Sequence, residues 1–412
     1  MSKVLFVLPF LPFPLDSGGC QALYNGIKAA VAAGSSAYLT YPDRDNSEKN
    51  RQALSEKLQG RIHILPFPAY VNKKGEKVLE VIYKSKYLLK KLIKGEIHSK
   101  AEDAPYDEWI HQLMPRNQAF CHFVNELVTQ NDIDIVQCEM LDTLAFGLTL
   151  PPGVKKYFVH HELGFVRKGQ HPIILQEPFA APAHLAINKV IEIYLLNHFD
   201  AIITLSEIDT LKLREAGVSS HLHTSFATID HLSESTLEST DGTTLSFVGP
   251  EWHPSNKQGL QWFLDSCWEQ LLAANPGYQL QIIGGWSKET SQQWRSRYRH
   301  ITFTGYVEDL AATIKNTIMI VPITIGSGIR MKILEAGLIG VPVVTTSIGV
   351  EGIPLVNEEN CFISDSPEAF VQSVLALSDR TIRERFIRST QQIIVARYSQ
   401  DALNDNRKAL YQ

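Results

Sequence analysis

Short apolar runs alternate with longer amphipathic segments along most of the chain, and this alternation constrains the fold more than any other feature. The strand-like runs of the first half are Val4–Leu8, Ala37–Thr40, Ile62–Leu65, Ile133–Gln137, Lys156–His160 and Ala201–Leu205. Helical stretches between them include a helix near Gln21–Ala33, ended by Gly34, and the segments Asn117–Gln130 and Ile187–Asn197. Strands that alternate with helices form parallel sheets with helices on both faces. The first half is therefore predicted to be an α/β domain.

The second half restarts the same pattern after a polar stretch. Its strand-like runs are Leu245–Val248, Gln279–Ile283, Ile301–Phe303, Ile318–Val321 and Pro342–Thr345, with a helix around Gly259–Ala274. The stretch Asp230–Gly242 between the halves is rich in Ser, Thr and acidic residues, as hinges and linkers often are. The pattern predicts two domains, at 1–230 and 243–395, and a last helix over Tyr398–Leu410.

Composition excludes several classes of protein. The chain has 412 residues, which is long enough for two large cores, and its net charge of -5 argues against a nucleic-acid binder that works by bulk charge. Its five cysteines are scattered without a CxxC pair, which favours a reducing compartment and gives no zinc signature. The N-terminal apolar run resembles a first strand more than a signal peptide, and no segment is long enough to span a bilayer. We therefore expect a cytoplasmic protein.

A glycine-rich turn, Gly326-Ser-Gly328, follows the apolar run Ile318–Ile323 and precedes the apolar-periodic segment Ile329–Ile339. Glycines let the backbone approach a ligand, and the free N–H groups of a first helical turn attract anions. Arg330 and Lys332 add positive charge there, where cations oppose the helix dipole unless an anion is present.

A carboxylate, Glu335, follows one helical turn after the basic pair. This order of phosphate site, cations and hydroxyl-binding acid suits a nucleoside diphosphate. An ordinary connection between a strand and a helix explains the same spacing equally well, because short glycine motifs are common in parallel sheets.

The segment Lys73–Lys100 stands apart, with nine Lys and three Glu and with apolar residues at helical spacing. A basic amphipathic helix of this kind binds anionic membranes, at about 1 kcal/mol for each Lys near the surface. The alternative is a surface helix whose apolar stripe packs on the first domain. Membrane contact through 73–100 would place the protein peripherally on the inner face of the membrane.

Two linked α/β domains leave a cleft where the carboxyl ends of their strands meet, and ligands bind in such clefts. The loop Pro12–Gly19, which contains Gly18 and Gly19, follows a strand and precedes a helix, as the turn Gly326–Gly328 does. Both are therefore expected to face the cleft.

These motifs together resemble glycosyltransferase family 4, whose members have the GT-B fold. The resemblance covers essentially the whole chain and is strongest over Gly326–Gly349 with Glu351-Gly352, and it extends to these further segments: Phe247-Val-Gly249 with Trp252, Pro254 and Asn256, Trp262-Phe263, Ile282–Gly285, Phe303-Thr-Gly305, Pro12–Gly19, His160-His-Glu162 with Arg167, and Leu205-Ser-Glu207. The resemblance implies two Rossmann-like domains facing across a cleft. It also implies that a C-terminal helix, 396–412, crosses back to the first domain.

The resemblance assigns roles to residues on both sides of the cleft. Gly326, Ser327 and Gly328 would offer backbone N–H groups to the diphosphate, Arg330 and Lys332 would neutralise it, and Glu335 would bind the ribose. Gly18 and Gly19 would approach the phosphate or the transferred sugar, Gly249 would lie at the donor site, and His160 or His161 would contact the sugar or stabilise charge in the transition state. The implied reaction retains anomeric configuration, needs no metal or other cofactor, and relies on stabilisation of the leaving group.

Two departures from the family pattern matter. Many members carry a second Glu eight residues before the ribose-binding one, but Ser327 stands there, so a mechanism with paired carboxylates is not supported. Many also carry Arg after the Val-Gly of the second domain, where this chain has Pro250, and Lys257 would have to supply the later charge. Arg330 and Lys332 would then be the only strong cations at the diphosphate.

The leading hypothesis is a hexosyltransferase-type enzyme of polysaccharide biosynthesis that uses a nucleotide-sugar donor and a glycan or lipid-linked glycan acceptor. A nucleotide-sugar epimerase of the same fold and a non-catalytic nucleotide- or glycan-binding relic are the alternatives. A nicotinamide-dependent enzyme fits less well because the first loop lacks GxGxxG. Buried, structural histidines remain an alternative reading of His160 and His161.

Overall fold

The computed structural model describes residues 2–15, 17–43, 47–68, 117–169, 180–229 and 242–412. The predicted basic helix at 73–100, and the predicted linker except for Gly242, lie outside these ranges. Within the described ranges the strands form two large sheets and one two-stranded pair, and the strand pairs are parallel. The predicted α/β class is confirmed.

The first sheet has the strand order β4-β2-β1-β6-β7-β8-β9. The strands of this half are β1 Lys3–Val7, β2 Ser36–Thr40, β3 Pro42–Asp43, β4 Ile62–Ile64, β5 Phe67–Pro68, β6 Ile135–Glu139, β7 Lys155–His160, β8 Ala201–Thr204 and β9 His221–Thr224, with β3 and β5 forming the separate pair. The helices are α1 Gly18–Ala32, α2 Glu48–Lys57, α3 Gln118–Gln130, the 3₁₀ helix Leu141–Leu148, α4 Gly164–Gly169, α5 Ala180–Leu196 and α6 Glu207–Glu215. Leu5 and Val7 pack in one apolar cluster and Val4 and Phe6 in another, so both faces of β1 are covered.

The second sheet has the order β12-β11-β10-β13-β14-β15. Its strands are β10 Thr244–Val248, β11 Gln279–Ile283, β12 Ile301–Gly305, β13 Ile318–Val321, β14 Val343–Thr345 and β15 Phe362–Ile363. The helices of this half are α7 Pro254–Ser266, α8 Trp268–Ala274, α9 Lys288–Arg297, α10 Leu310–Ile314, α11 Met331–Ile339, α12 Pro367–Ala376, α13 Arg380–Tyr398 and α14 Gln400–Tyr411. Ile318 and Ile320 face one cluster and Met319 and Val321 the other, again as expected of a sheet buried on both faces.

Helix α1 begins earlier than its apolar spacing predicts. The Ser17 hydroxyl accepts a hydrogen bond from the Cys20 backbone N–H at 3.3 Å and caps a helix that starts at Gly18. Gly18 and Gly19, predicted to lie in the preceding loop, are therefore the first two helical residues. Edge strand β9 was missed because its residues, His-Leu-His-Thr, form no apolar run.

The predicted last helix, Tyr398–Leu410, is present as Gln400–Tyr411 and follows a separate helix. Arg380–Tyr398 ends at Ser399, whose hydroxyl accepts from the Ala402 N–H at 3.2 Å and caps Gln400–Tyr411. The last helix returns to the first half, where it packs on α1 and where the Leu410 carbonyl accepts a hydrogen bond from the Tyr157 hydroxyl at 3.1 Å. The chain thus crosses from the second sheet back to the first.

Candidate functional site

The glycine turn after β13 meets the end of β7 from the other half of the chain. Gly328 has φ +82°, and a Cβ added to it would lie 2.7 Å from the His161 carbonyl oxygen, so a side chain has no room there. The buried Ser327 donates its hydroxyl to the Leu163 carbonyl at 3.3 Å. Nearby, Lys212 of α6 forms an ion pair with Glu351. The two halves therefore contact each other directly at the carboxyl ends of their strands.

Arg330 occupies the N-cap position of α11, and only part of its guanidinium group forms hydrogen bonds with the described residues. Its Nη1 donates to the Ser327 and Gly328 carbonyls, both at 2.6 Å, and so braces the turn from inside. Its Nε and Nη2 are buried and have no hydrogen-bond partner among the described residues. Burial lowers the pKa of Arg330, while the nearby carboxylates, first Glu351 and then Glu162, raise it. Buried N–H donors left unpaired are costly, so an anionic ligand that pairs them would be favoured.

Lys332 lies two residues further along, in the first turn of α11. Its ammonium donates to the Asn256 side-chain oxygen at 2.7 Å and lies 4.6 Å from the centre of the Phe247 ring. Burial lowers the pKa of Lys332 to about 7, with Arg330 lowering it further and Glu335 raising it. Uncharged groups hold the Lys332 side chain in place, and a nearby anion would favour its protonated form.

Glu335 follows on the same helix and is buried. Burial raises the pKa of Glu335, and the Gln21 side chain of α1 forms a hydrogen bond with it that acts in the opposite direction. Close by, a Cβ on Gly18 would lie 2.9 Å from the Met331 side chain, so the beginnings of α1 and α11 are in contact. The first turns of two helices, which carry N–H groups without intrahelical partners, therefore lie side by side here.

Other predicted donor-binding residues have different surroundings. Gly249, after β10, lies against the Asn256 side chain, which is the group that holds Lys332. Gly19 lies against the Met140 methyl group. The Lys257 ammonium is 2.8 Å from Glu251, and its side chain is 51% exposed. The described hydrogen bonds and ion pairs do not bring Lys257 together with Arg330 and Lys332.

The two candidate histidines occupy different environments. His160 is buried, and its Nε2 is 3.0 Å from Glu192, whose oxygens also accept from the Gly164 and Phe165 N–H groups. His161 keeps a side-chain exposure of 12%, and its Nε2 lies 2.7 Å from Glu139. His160 therefore has the surroundings of a structural histidine, while the backbone of His161 borders the glycine turn.

Sequence reasoning missed three residues around the site. Asn256 holds Lys332, Gln21 bonds Glu335, and Glu139 bonds His161. Asn256 was noted within a motif, and Glu139 could have been suspected as an acid at a strand end. Gln21 gave no signal, because its partner lies in the other half of the chain.

Two parallel-sheet domains in contact at their strand ends, with a helix returning from the second to the first, define a GT-B protein, and the predicted fold is confirmed. Residues 242–380 match the family described as Glycosyl transferases group 1. The resemblance to these glycosyltransferases is thereby confirmed, on a stretch confined to the second domain.

Among curated proteins, an uncharacterized 44.6 kDa protein in the cps region of Klebsiella pneumoniae is 29% identical over 140 residues, which cover 32% of this chain and 36% of that protein. The match thus spans little more than a third of that relative. None of the described helices is long and apolar enough to cross a membrane.

Solved structures resemble the whole chain. S. aureus TarM, in a complex with fondaparinux, alpha-GlcNAc-glycerol and UDP, has a TM-score of 0.70 at 13% identity over 100% of both chains. Sucrose-phosphate synthase from Thermosynechococcus elongatus has a TM-score of 0.72 at 13% identity, over 100% of this chain and 98% of its own. Anabaena HepE in complex with UDP has a TM-score of 0.67 at 13% identity, over 99% of both chains. At such identities the likeness concerns the fold.

Proposed function

We propose that this protein is a glycosyltransferase that moves a hexosyl group from a nucleotide-diphosphate sugar to a glycan or lipid-linked glycan acceptor, with retention of configuration. The observation that carries the proposal is a pair of guanidinium nitrogens of Arg330 beside the glycine turn, which are buried and have no hydrogen-bond partner in the described part of the chain. A diphosphate offers several anionic oxygens to such donors, and guanidinium groups bind phosphate through paired hydrogen bonds.

The proposed donor site divides into two parts along α11. Arg330, the backbone of the turn and the N-terminus of α11 would bind the diphosphate, and Lys332 would become charged as the anion arrives. Glu335 would exchange its Gln21 contact for hydrogen bonds from the ribose hydroxyls. This division places the sugar beyond the turn, toward His161 on the opposite wall.

The chemistry follows from which groups surround the bond to be broken. Departure of the nucleoside diphosphate builds negative charge on the phosphate, and Arg330, Lys332 and the helix N-terminus would stabilise it in the transition state. Ser327 stands where a second carboxylate would be needed, and its hydroxyl already bonds Leu163. We therefore propose leaving-group stabilisation as the main source of catalysis, with no requirement for a metal.

The acceptor class is proposed from the proteins that this chain resembles. TarM was solved with fondaparinux and alpha-GlcNAc-glycerol, and the Klebsiella relative is described as a protein of a cps region. A growing polysaccharide is accordingly the acceptor class we propose. Peripheral membrane contact through 73–100 and a cytoplasmic location stay predictions of the sequence, and the contact is tested by binding to anionic liposomes at low salt.

The proposal is tested by incubating the protein with a panel of nucleotide sugars, with and without EDTA, and measuring nucleoside diphosphate release. We expect slow release from one donor, unaffected by EDTA and absent in Arg330→Ala. NMR of the glycoside formed with an added acceptor should show the anomeric configuration of the donor. Tight nucleotide binding without release, or isomerisation of the free donor, would refute glycosyl transfer.

A further inference from the structure

A line of buried side chains connects His161 at the cleft with the last helix of the chain. The Tyr411 hydroxyl donates to the Gln137 side-chain oxygen at 2.8 Å, and the Gln137 amide donates to Glu139 Oε1 at 2.5 Å. The other carboxylate oxygen, Oε2, lies 2.7 Å from His161 Nε2. Tyr411, Gln137 and Glu139 are each at most 1% exposed. The line is therefore shielded from water until it reaches His161.

The chemistry of the groups in this line fixes the direction of each of its hydrogen bonds. Burial raises the pKa of Tyr411, so its phenol keeps the proton that it donates. The Gln137 oxygen must accept that proton, so its NH₂ group faces Glu139. An ionised carboxylate only accepts, and the nitrogen of His161 that faces it must therefore carry a proton. The neutral ring is then protonated at Nε2, and Nδ1 is left to accept a hydrogen bond from a ligand.

The helix that carries Tyr411 is anchored closely enough to hold this arrangement. Arg407, one turn earlier on α14, donates from Nε to the Ser225 hydroxyl at 2.8 Å. A Cβ on Gly26 of α1 would lie 2.8 Å from Arg407 Nη1 and 3.8 Å from Glu139 Oε1. Because Gly26 has no side chain, the Arg407 guanidinium and the Glu139 carboxylate can both lie against this point of α1.

We infer that Glu139 is a positioning residue for the proposed sugar transfer, because it fixes the tautomer and orientation of His161. Glu139 is in turn oriented by Gln137 of β6 and, through Gln137, by Tyr411 of the returning helix. The expected effect on kcat rests on the proposed function, whereas the tautomer of His161 can be measured in the protein without substrate. In catalytic histidines whose ring N–H donates to a carboxylate, that carboxylate sets the tautomer. Replacing the carboxylate by the corresponding amide leaves the histidine in the wrong tautomer.

The decisive variant is Glu139→Gln. Its side-chain oxygen must accept from Gln137, so its NH₂ group faces His161 Nε2, which then has to accept. The variant is expected to invert the neutral tautomer of His161 to the Nδ1-protonated form. Where transfer is measured, kcat should fall by about 10–1000-fold, while the affinity for nucleoside diphosphate changes less than twofold.

The tautomer is read from nitrogen–proton correlation NMR of protein labelled with ¹⁵N-histidine, with the His161 signals assigned by their loss in His161→Asn. Tyr411→Phe removes only one hydroxyl and serves as the milder variant. The Glu139 carboxylate still only accepts, so the His161 tautomer should stay as it is, and kcat should fall less because Glu139 is held less firmly. Glu192→Gln makes the same change at the His160 pair. It should lower the melting temperature and leave the His161 tautomer as it is.

The outcomes separate the two levels of the inference. An unchanged His161 tautomer in folded Glu139→Gln overturns it, as does a kcat equal to that of the wild type. A kcat of Tyr411→Phe equal to that of the wild type removes the returning helix from the arrangement. If the wild-type protein transfers no sugar, the proposed function fails, and the tautomer measurement still decides whether Glu139 holds the ring.

Discussion

Replacement of Arg330 by methionine should lower kcat/KM strongly and change the stability of the fold much less. In the resting protein Nη1 makes two hydrogen bonds to backbone carbonyls, and Nε and Nη2 are buried without hydrogen-bond partners in the ranges that the structure describes. Each hydrogen bond from a charged group contributes about 1.5–3 kcal/mol, and each unpaired buried donor costs about 1–3 kcal/mol. The gains and penalties nearly cancel, so the free energy of unfolding should change by at most about 2 kcal/mol.

Substrate changes this balance, because the diphosphate would pair the two free donors. Loss of two such hydrogen bonds removes about 3–6 kcal/mol of transition-state stabilisation, which is about 10²–10⁴-fold in kcat/KM. The assay is nucleoside diphosphate release, together with urea unfolding of the same samples. Arg388→Met is the matched control, because the Arg388 side chain is 62% exposed and lies 3.7 Å from Glu384. A strongly destabilised Arg330→Met, or one with normal kcat/KM, would refute the reasoning.

Further predictions concern the groups around Arg330. Because burial lowers the pKa of Lys332 to about 7, the free protein at pH 8 holds this side chain mostly neutral, and an anionic ligand restores its charge. Nucleotide binding at pH 8 should therefore take up close to one proton, which calorimetry in buffers of different ionisation enthalpy measures. The affinity for the nucleotide should fall as the pH rises above about 7. The Lys332→Met variant should take up no proton on binding. Glu335→Gln should weaken binding of a ribonucleotide by about 1.5–3 kcal/mol and that of its 2′,3′-dideoxy analogue far less, and equal losses would exclude a ribose contact. Gly328→Ala places a Cβ 2.7 Å from the His161 carbonyl and should lower both melting temperature and activity, whereas Gly153→Ala, at φ +90° with no atom within 4 Å, should show only the smaller backbone cost.

Local signals in the sequence determined most of the elements and the class of the fold. Strand β13, the glycine turn and α11 follow from an apolar run, glycines and helical periodicity, which succeed one another along the chain. The strand boundaries agree to within a few residues because burial on both faces leaves a continuous apolar run. Helix α1 was placed too late because glycines carry no side chain to signal a periodic face.

Only the tertiary structure decided how the site residues are used. Adjacent residues of a strand point to opposite sides, so His160 and His161 were not both expected to face the cleft. The sequence does not show that Glu192 pairs with His160 and Glu139 with His161. Lys257 turns to Glu251, and Glu335 meets a glutamine from the other half of the chain. Such partners are far apart in sequence, and periodicity records only what happens within one element. The local sequence therefore determines whether a segment forms a helix or a strand, whereas the folded structure determines which charged groups pair across the cleft.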